Sequence, residues 1–162
     1  MKPRLLMIAL ASAALAACEG DTTLGTDPVL AGLWLSPYEN VQVPFPDGTR
    51  TLSAGMRWSF DAAGHFDRRE LLIDPVAALP ILELVERGTY HTHGNRLELH
   101  VDSAYTRDQA LMPAPVALQP ANRNGSFGYE VHGDDLTITP VCPPAASCDP
   151  RFTQFERAFT AN

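Results

Sequence analysis

The run Gly88-Thr89-Tyr90-His91-Thr92-His93-Gly94-Asn95-Arg96-Leu97-Glu98-Leu99-His100-Val101 decides the fold. Gly94-Asn95 suits a two-residue turn, because both residues accept the left-handed backbone that tight hairpins need. Folding the run about that turn sets His93 opposite Arg96, Thr92 opposite Leu97 and Tyr90 opposite Leu99. Leu97, Leu99 and Val101 then share one face, and Glu98, His100 and Asp102 the other. An apolar face backed by a polar one predicts an antiparallel pair buried on one side.

The same pattern recurs on both sides of this run. Gly133-Asp134 predicts a second hairpin, with Val131 opposite Leu136 and Tyr129 opposite Ile138. Met56, Trp58 and Phe60 alternate with polar neighbours, Asp61-Ala62-Ala63-Gly64 makes a loop, and Phe66 begins the return strand. Phe45-Pro46-Asp47-Gly48-Thr49 is a turn by its Pro-Asp-Gly centre. Leu30 to Leu35 and Val41 to Val43 read as short strands, and Phe152 to Phe159 as the last one, with Phe155 and Arg157 on one side. Two regions read differently. Leu71 to Glu86 is expected as a loop or short helix, capped by Asp74 and limited by Pro80. Ser103 to Gly125 has little periodicity and is expected as a long irregular loop. About eight to ten short antiparallel strands predict an all-β barrel or sandwich.

The N-terminus is of another kind. Met1 to Arg4 is basic, Leu5 to Leu15 is apolar, and Ala16-Ala17 precedes Cys18. This is the pattern of a secretory signal. Its apolar run, about 11 residues, is short of the ~20 a membrane-spanning helix needs. Leu15-Ala16-Ala17-Cys18 resembles the lipobox of bacterial lipoproteins, which implies a lipidated Cys18 as the first mature residue. Several acyl chains on one cysteine hold a protein stably, where one chain does not. Glu19 rather than Asp follows, which in the enterobacterial sorting rule implies the outer membrane, facing the periplasm. The expected division is a signal peptide over 1–17, a lipidated flexible tether over 18–28 and a barrel domain over 29–162.

Composition agrees with a folded domain: 162 residues, 45% hydrophobic and 19% charged, with a net charge of −7. With Lys2 and Arg4 removed, ten arginines face nineteen carboxylates, a net of −9. Such an acidic body argues against nucleic acid as a partner and against electrostatic docking on anionic lipid. The three cysteines divide into Cys18, taken by the lipobox, and Cys142 with Cys148, a pair that an oxidising compartment is expected to join.

The domain resembles the lipocalin-like (calycin) lipoproteins of bacteria over most of residues 30–159. The matching features are Gly32-x-Trp34, Phe60-Asp61-x-x-Gly64, Gly88-Thr89-Tyr90 running into Gly94-Asn95-Arg96-Leu97, Gly133-Asp134-Asp135-Leu136-Thr137 and Phe155-Glu156-Arg157. The resemblance implies an antiparallel up-and-down β-barrel in which Arg157 packs over Trp34 at the closed end.

The chemistry-bearing residues read mainly as structure. His91, His93 and His100 invite a zinc reading, but the hairpin register puts His91 opposite Glu98 on a solvated outer face. Asp67-Arg68-Arg69-Glu70 reads as a charged strand exterior. The sequence holds no nucleophile elbow, phosphate loop, zinc-protease or dinucleotide fingerprint, so no catalytic residue, metal or cofactor is assigned. The leading expectation is a non-catalytic, membrane-anchored protein that binds a small apolar or amphipathic ligand such as a lipid. Its barrel lining would be Met56, Trp58, Phe60, Tyr90, Leu97, Leu99, Tyr129, Val131, Leu136 and Ile138. The rivals are a protein-interaction module, such as a periplasmic protease or lysozyme inhibitor, using the loops at 103–125 and 142–148, and a structural envelope lipoprotein.

Overall fold

The computed structural model describes residues 25–108, 117–142 and 153–158. Cys18 and Cys148 lie outside them. Cys142 is itself disulfide-bonded. A 3₁₀ turn, Pro28–Leu30, precedes nine strands among the described residues: β1 (Gly32–Leu35), β2 (Glu39–Phe45), β3 (Gly48–Phe60), β4 (His65–Asp74), β5 (Leu79–His93), β6 (Arg96–Asp108), β7 (Gln119–His132), β8 (Asp135–Pro140) and β9 (Gln154–Arg157). All pairings are antiparallel, in the order β1-β9-β8-β7-β6-β5-β4-β3-β2, and β1 also pairs with β3. That extra pairing closes an eight-stranded up-and-down barrel and leaves β2 as the additional strand, an architecture consistent with a calycin-like fold.

β1 and β2 are one interrupted strand. β1 runs along β3 from Gly32↔Phe60 to Leu35↔Arg57, and β2 continues from Glu39↔Ala54 to Phe45↔Gly48. Ser36-Pro37-Tyr38 forms the break, where proline has no N–H to give a ladder. The buried Ser36 hydroxyl accepts from the Met56 N–H at 2.8 Å, so no backbone donor is stranded there.

Both predicted hairpins form in the expected register: Thr92↔Leu97 and Tyr90↔Leu99 about Gly94-Asn95, and Val131↔Leu136 and Tyr129↔Ile138 about Gly133-Asp134. Gly94 and Gly133 adopt the positive φ that these turns require, 58° and 64°. Gly88 serves a different need. It sits at a bulge between β5 and β6, where a Cβ would lie 1.8 Å from the His100 carbonyl oxygen. Such bulges bend long strands enough to curve them round a barrel.

Two expectations are corrected. Leu71 to Glu86 is not a loop or helix: β4 and β5 pair through it, joined by a turn at 75–78 where Asp74 accepts from the Val76 and Ala77 N–H groups. Ser103 to Gly125 is not one long loop, because β6 continues to Asp108 and β7 starts at Gln119. Its middle, 109–116, lies outside the described residues. Non-local pairing overrode weak local signals in both places.

One apolar cluster fills the barrel beneath its closed end. Trp58 stacks on Phe60 at 5.5 Å between ring centres, meets Phe66 at 5.9 Å and Phe127 at 6.1 Å, and Phe60 meets Tyr90 edge-on at 5.0 Å. Nine of the ten expected lining residues are buried there; Val131 is partly buried and packs against them.

Candidate functional site

The barrel has two unlike ends. At the closed end the chain entering β1 packs as a plug. Leu30 is fully buried, and its carbonyl accepts from Trp34 Nε1 at 2.8 Å. The Arg157 guanidinium lies 4.1 Å from the Trp34 ring centre and donates to the carbonyls of Ala31 (2.7 Å) and Val29 (2.9 Å). The last residues of the expected tether are bound here as well. Thr92 donates from its N–H (2.7 Å) and its hydroxyl (2.9 Å) to the Gly25 carbonyl, and the Thr26 hydroxyl reaches the Ala62 carbonyl at 3.5 Å. The Tyr129 hydroxyl donates to Asp27 Oδ2 at 2.8 Å. Burial, then the bond to that carboxylate, pushes the Tyr129 phenol up to about 12.

At the open end the inner wall carries charge. Trp58 pairs with Arg68 across β3 and β4, and Arg68 with Glu86 across β4 and β5. Since Trp58 points into the core, Arg68 and Glu86 do too. Glu86 accepts from Arg68 at 3.0 Å and from Arg123 at 2.6 Å. Arg68 lies 5.3 Å above the Trp58 ring and 3.8 Å from the Glu70 carboxylate. The Glu86 side chain is 8% exposed, against 23% for Arg68 and 56% for Arg123. Arg68 Nε is buried and has no hydrogen-bond partner among the described residues. Arg68, Glu86, Arg123, Leu99, Val101 and Phe127 line a cleft of about 180 Å³, and Phe127 connects it to the aromatic cluster through Trp58. Above it the inner wall turns apolar again with Leu52, Leu72 and Leu82.

The reading of Asp67-Arg68-Arg69-Glu70 as all exterior is therefore half wrong. Asp67 and Arg69 face out, and Arg68 and Glu70 face in. The signal was available: a hairpin joining Phe60 to Phe66 sets Trp58 opposite Arg68 and Met56 opposite Glu70.

The outer face has its own ion pairs. Glu83 is 5% exposed and accepts from Arg107 at 2.8 Å, with Arg69 at 3.2 Å. Asp67 sits between Arg87 (2.7 Å) and Arg57 (3.5 Å). An apolar groove of about 280 Å³ adjoins them, lined by Leu35, Pro37, Tyr38, Gly55 and Leu71 and edged by Arg57 and Arg69. His91 and His93 are exposed, His91 faces Glu98, and His100 Nδ1 meets Asn124 Oδ1 at 2.8 Å. Among the described residues no three His, Cys, Asp or Glu side chains are grouped to hold a metal.

No family model, curated protein or solved structure matches the chain.

Proposed function

We propose that this is a non-enzymatic lipoprotein of the bacterial envelope, anchored through Cys18, that takes a small amphipathic ligand into the open half of its barrel. One observation carries the ligand reading: the Arg68–Glu86–Arg123 cluster, with Glu70 beside it, on an inner wall that is mostly apolar. Charges withdrawn from water cost more than apolar packing of the same volume, so stability alone does not favour them there. Arg123 is half exposed and has one ion-pair partner, Glu86, among the described residues. It is the group best placed to take the polar end of a ligand, with Leu99, Val101 and Phe127, which line the same cleft, beside its apolar part.

The experiment is a titration of the purified protein with dodecanoate and its methyl ester, followed by tryptophan fluorescence, since Trp58 lies under Arg68. Saturable binding of the carboxylate, weakened about tenfold by Arg123→Ala (one charge-assisted contact,), supports the reading. No saturable change with either compound, and no molecule carried through purification in native mass spectrometry, overturns it.

The outer groove favours a second reading as a protein-interaction module, because Tyr38 is 63% exposed yet lies flat on Gly55, where a Cβ would meet its ring at 2.6 Å. A pre-positioned aromatic beside arginines is the composition of an interface hot spot. A pull-down from envelope extract that recovers a hydrolase, and loses it with Tyr38→Ala, favours that reading over the first.

A further inference from the structure

We infer that the barrel stands on its membrane with the closed end down, so that the open mouth faces the aqueous compartment and exchanges ligand with it rather than with the bilayer that holds the anchor. The inference rests on the anchored reading of Cys18. It joins two things: where the tether meets the barrel, and how long the tether is.

The attachment point is fixed by five hydrogen bonds that bind residues 25–27 to the closed end: two from Thr92 to the Gly25 carbonyl, one from the Gly25 N–H to the Thr92 carbonyl, one from Thr26 to the Ala62 carbonyl and one from Tyr129 to Asp27. Thr92 and Ala62 belong to the Gly94 and Gly64 turns, both on the closed side. The 75–78 turn joins β4 to β5 at the opposite rim.

Contour lengths then rule out a mouth resting on the bilayer. Seven steps separate Cys18 from Gly25. Even fully drawn out they reach only about 25 Å. From Thr92 back to Leu79, β5 climbs thirteen residues towards the open rim. At about 3.3 Å per residue and a tilt near 40° that is roughly 33 Å along the barrel axis, before any path around the wall. A mouth laid on the bilayer would need a tether longer than the one present. The shortfall is about 8 Å in the most favourable geometry.

The test uses the full-length protein, expressed with its own signal and reconstituted in phosphatidylethanolamine–phosphatidylglycerol liposomes that carry a headgroup-attached acceptor dye. A donor is placed at Ala62→Cys or Ala77→Cys, exposed turn positions on the closed and open sides. Energy transfer at least about twofold stronger from position 62 than from 77 is expected from the length of the barrel. A Gly/Ser insertion of about 20 residues between Asp21 and Thr22 lengthens the reach past the barrel and should bring the two signals towards each other. Lipidated protein with equal or stronger transfer from 77 overturns the orientation, and a twofold difference that the insertion leaves unchanged overturns tether length as its cause. Absence of acyl groups on Cys18 by mass spectrometry instead removes the anchored reading, and the orientation falls with it.

Discussion

Trp58 and Arg68 face each other across β3 and β4 at the level where the barrel changes character. On the side of Trp58 towards the plug, the inner wall is Phe60, Phe66, Tyr90, Leu136 and Phe155, all 3% exposed or less. On the other side it is Met56, Ala54, Leu52 and Leu72, all buried, interrupted by Glu70, Glu86 and Arg123. The same long strands build both halves, so the difference lies in the side chains, not the ladder. The closed half is packed as a core, closed by a plug and fastened by Arg157. The open half sets charges among its buried apolar side chains. That division separates an uninterrupted aromatic core from a wall in which charges sit among apolar side chains.

Truncation in each half is the most direct way to break the comparison. Trp58→Ala removes the ring that Phe60, Phe66 and Phe127 pack on, and is expected to cost about 3–5 kcal/mol in urea denaturation. Leu72→Ala, on the inner wall of the open half, should fall at the low end for its kind, about 2 kcal/mol. Equal losses would mean one continuous core and no functional division.

The charge cluster comes next in size. Glu86→Ala leaves Arg68 partly buried beside Trp58 with its main partner gone. Full loss of a buried partner costs about 3–5 kcal/mol, and the exposure of Arg123 brings the expectation to about 2–3. The double change Arg68→Met with Glu86→Met should lie within about 1 kcal/mol of the parent, since apolar groups of similar volume replace such pairs without loss. A double variant as unstable as Glu86→Ala would show that the ions serve the fold after all, and would remove the main support for a ligand.

Arg157→Ala tests the fastening of the plug. It removes the cation over Trp34 and two donors to the backbone at Val29 and Ala31. A loss of about 2 kcal/mol is expected, with faster hydrogen exchange at the Leu30 and Ala31 amides. Unchanged exchange there would mean that the plug is held by Leu30 packing alone.

What the sequence revealed follows the same division. Around Gly94-Asn95 and Gly133-Asp134 the register is legible to the residue, because one face is wholly apolar and a slip of one position would turn it to solvent. Arg157 over Trp34 follows from resemblance, since nothing in the spacing of two residues so far apart places them together. In the open half the alternation fails for a physical reason. Arg68, Glu70 and Glu86 occupy inward positions, so β4 and the first half of β5 show no apolar stripe, and Pro80 imitates a helix stop. Around Ser103 to Gly125 a bulge shifts the β6–β7 register after Val101, which breaks the period just where Pro120 enters. The pattern reports burial of apolar groups, so it falls silent where the inner wall is charged.

The smallest effect belongs to Tyr129, which joins the barrel to the tether. Tyr129→Phe keeps the ring packed and removes the hydroxyl that reaches Asp27 (2.8 Å) and the Gly94 carbonyl (3.0 Å), a cost of about 1 kcal/mol at neutral pH. Its pH dependence has a definite sign. The phenol titrates near its ordinary 10.0 when unfolded and at about 12 when folded, so the folded state holds the proton more tightly. The stabilisation is complete below pH 10 and is lost as pH rises towards 12, because the unfolded chain releases a proton there and the native one does not. Urea denaturation between pH 9 and 11.5 should therefore show a steeper alkaline decline in the parent than in Tyr129→Phe. Burial also raises Tyr90, and its contribution remains in both proteins, so the difference between the two curves isolates Tyr129. Parallel curves would mean that burial and Asp27 together do not hold the Tyr129 proton in the folded protein.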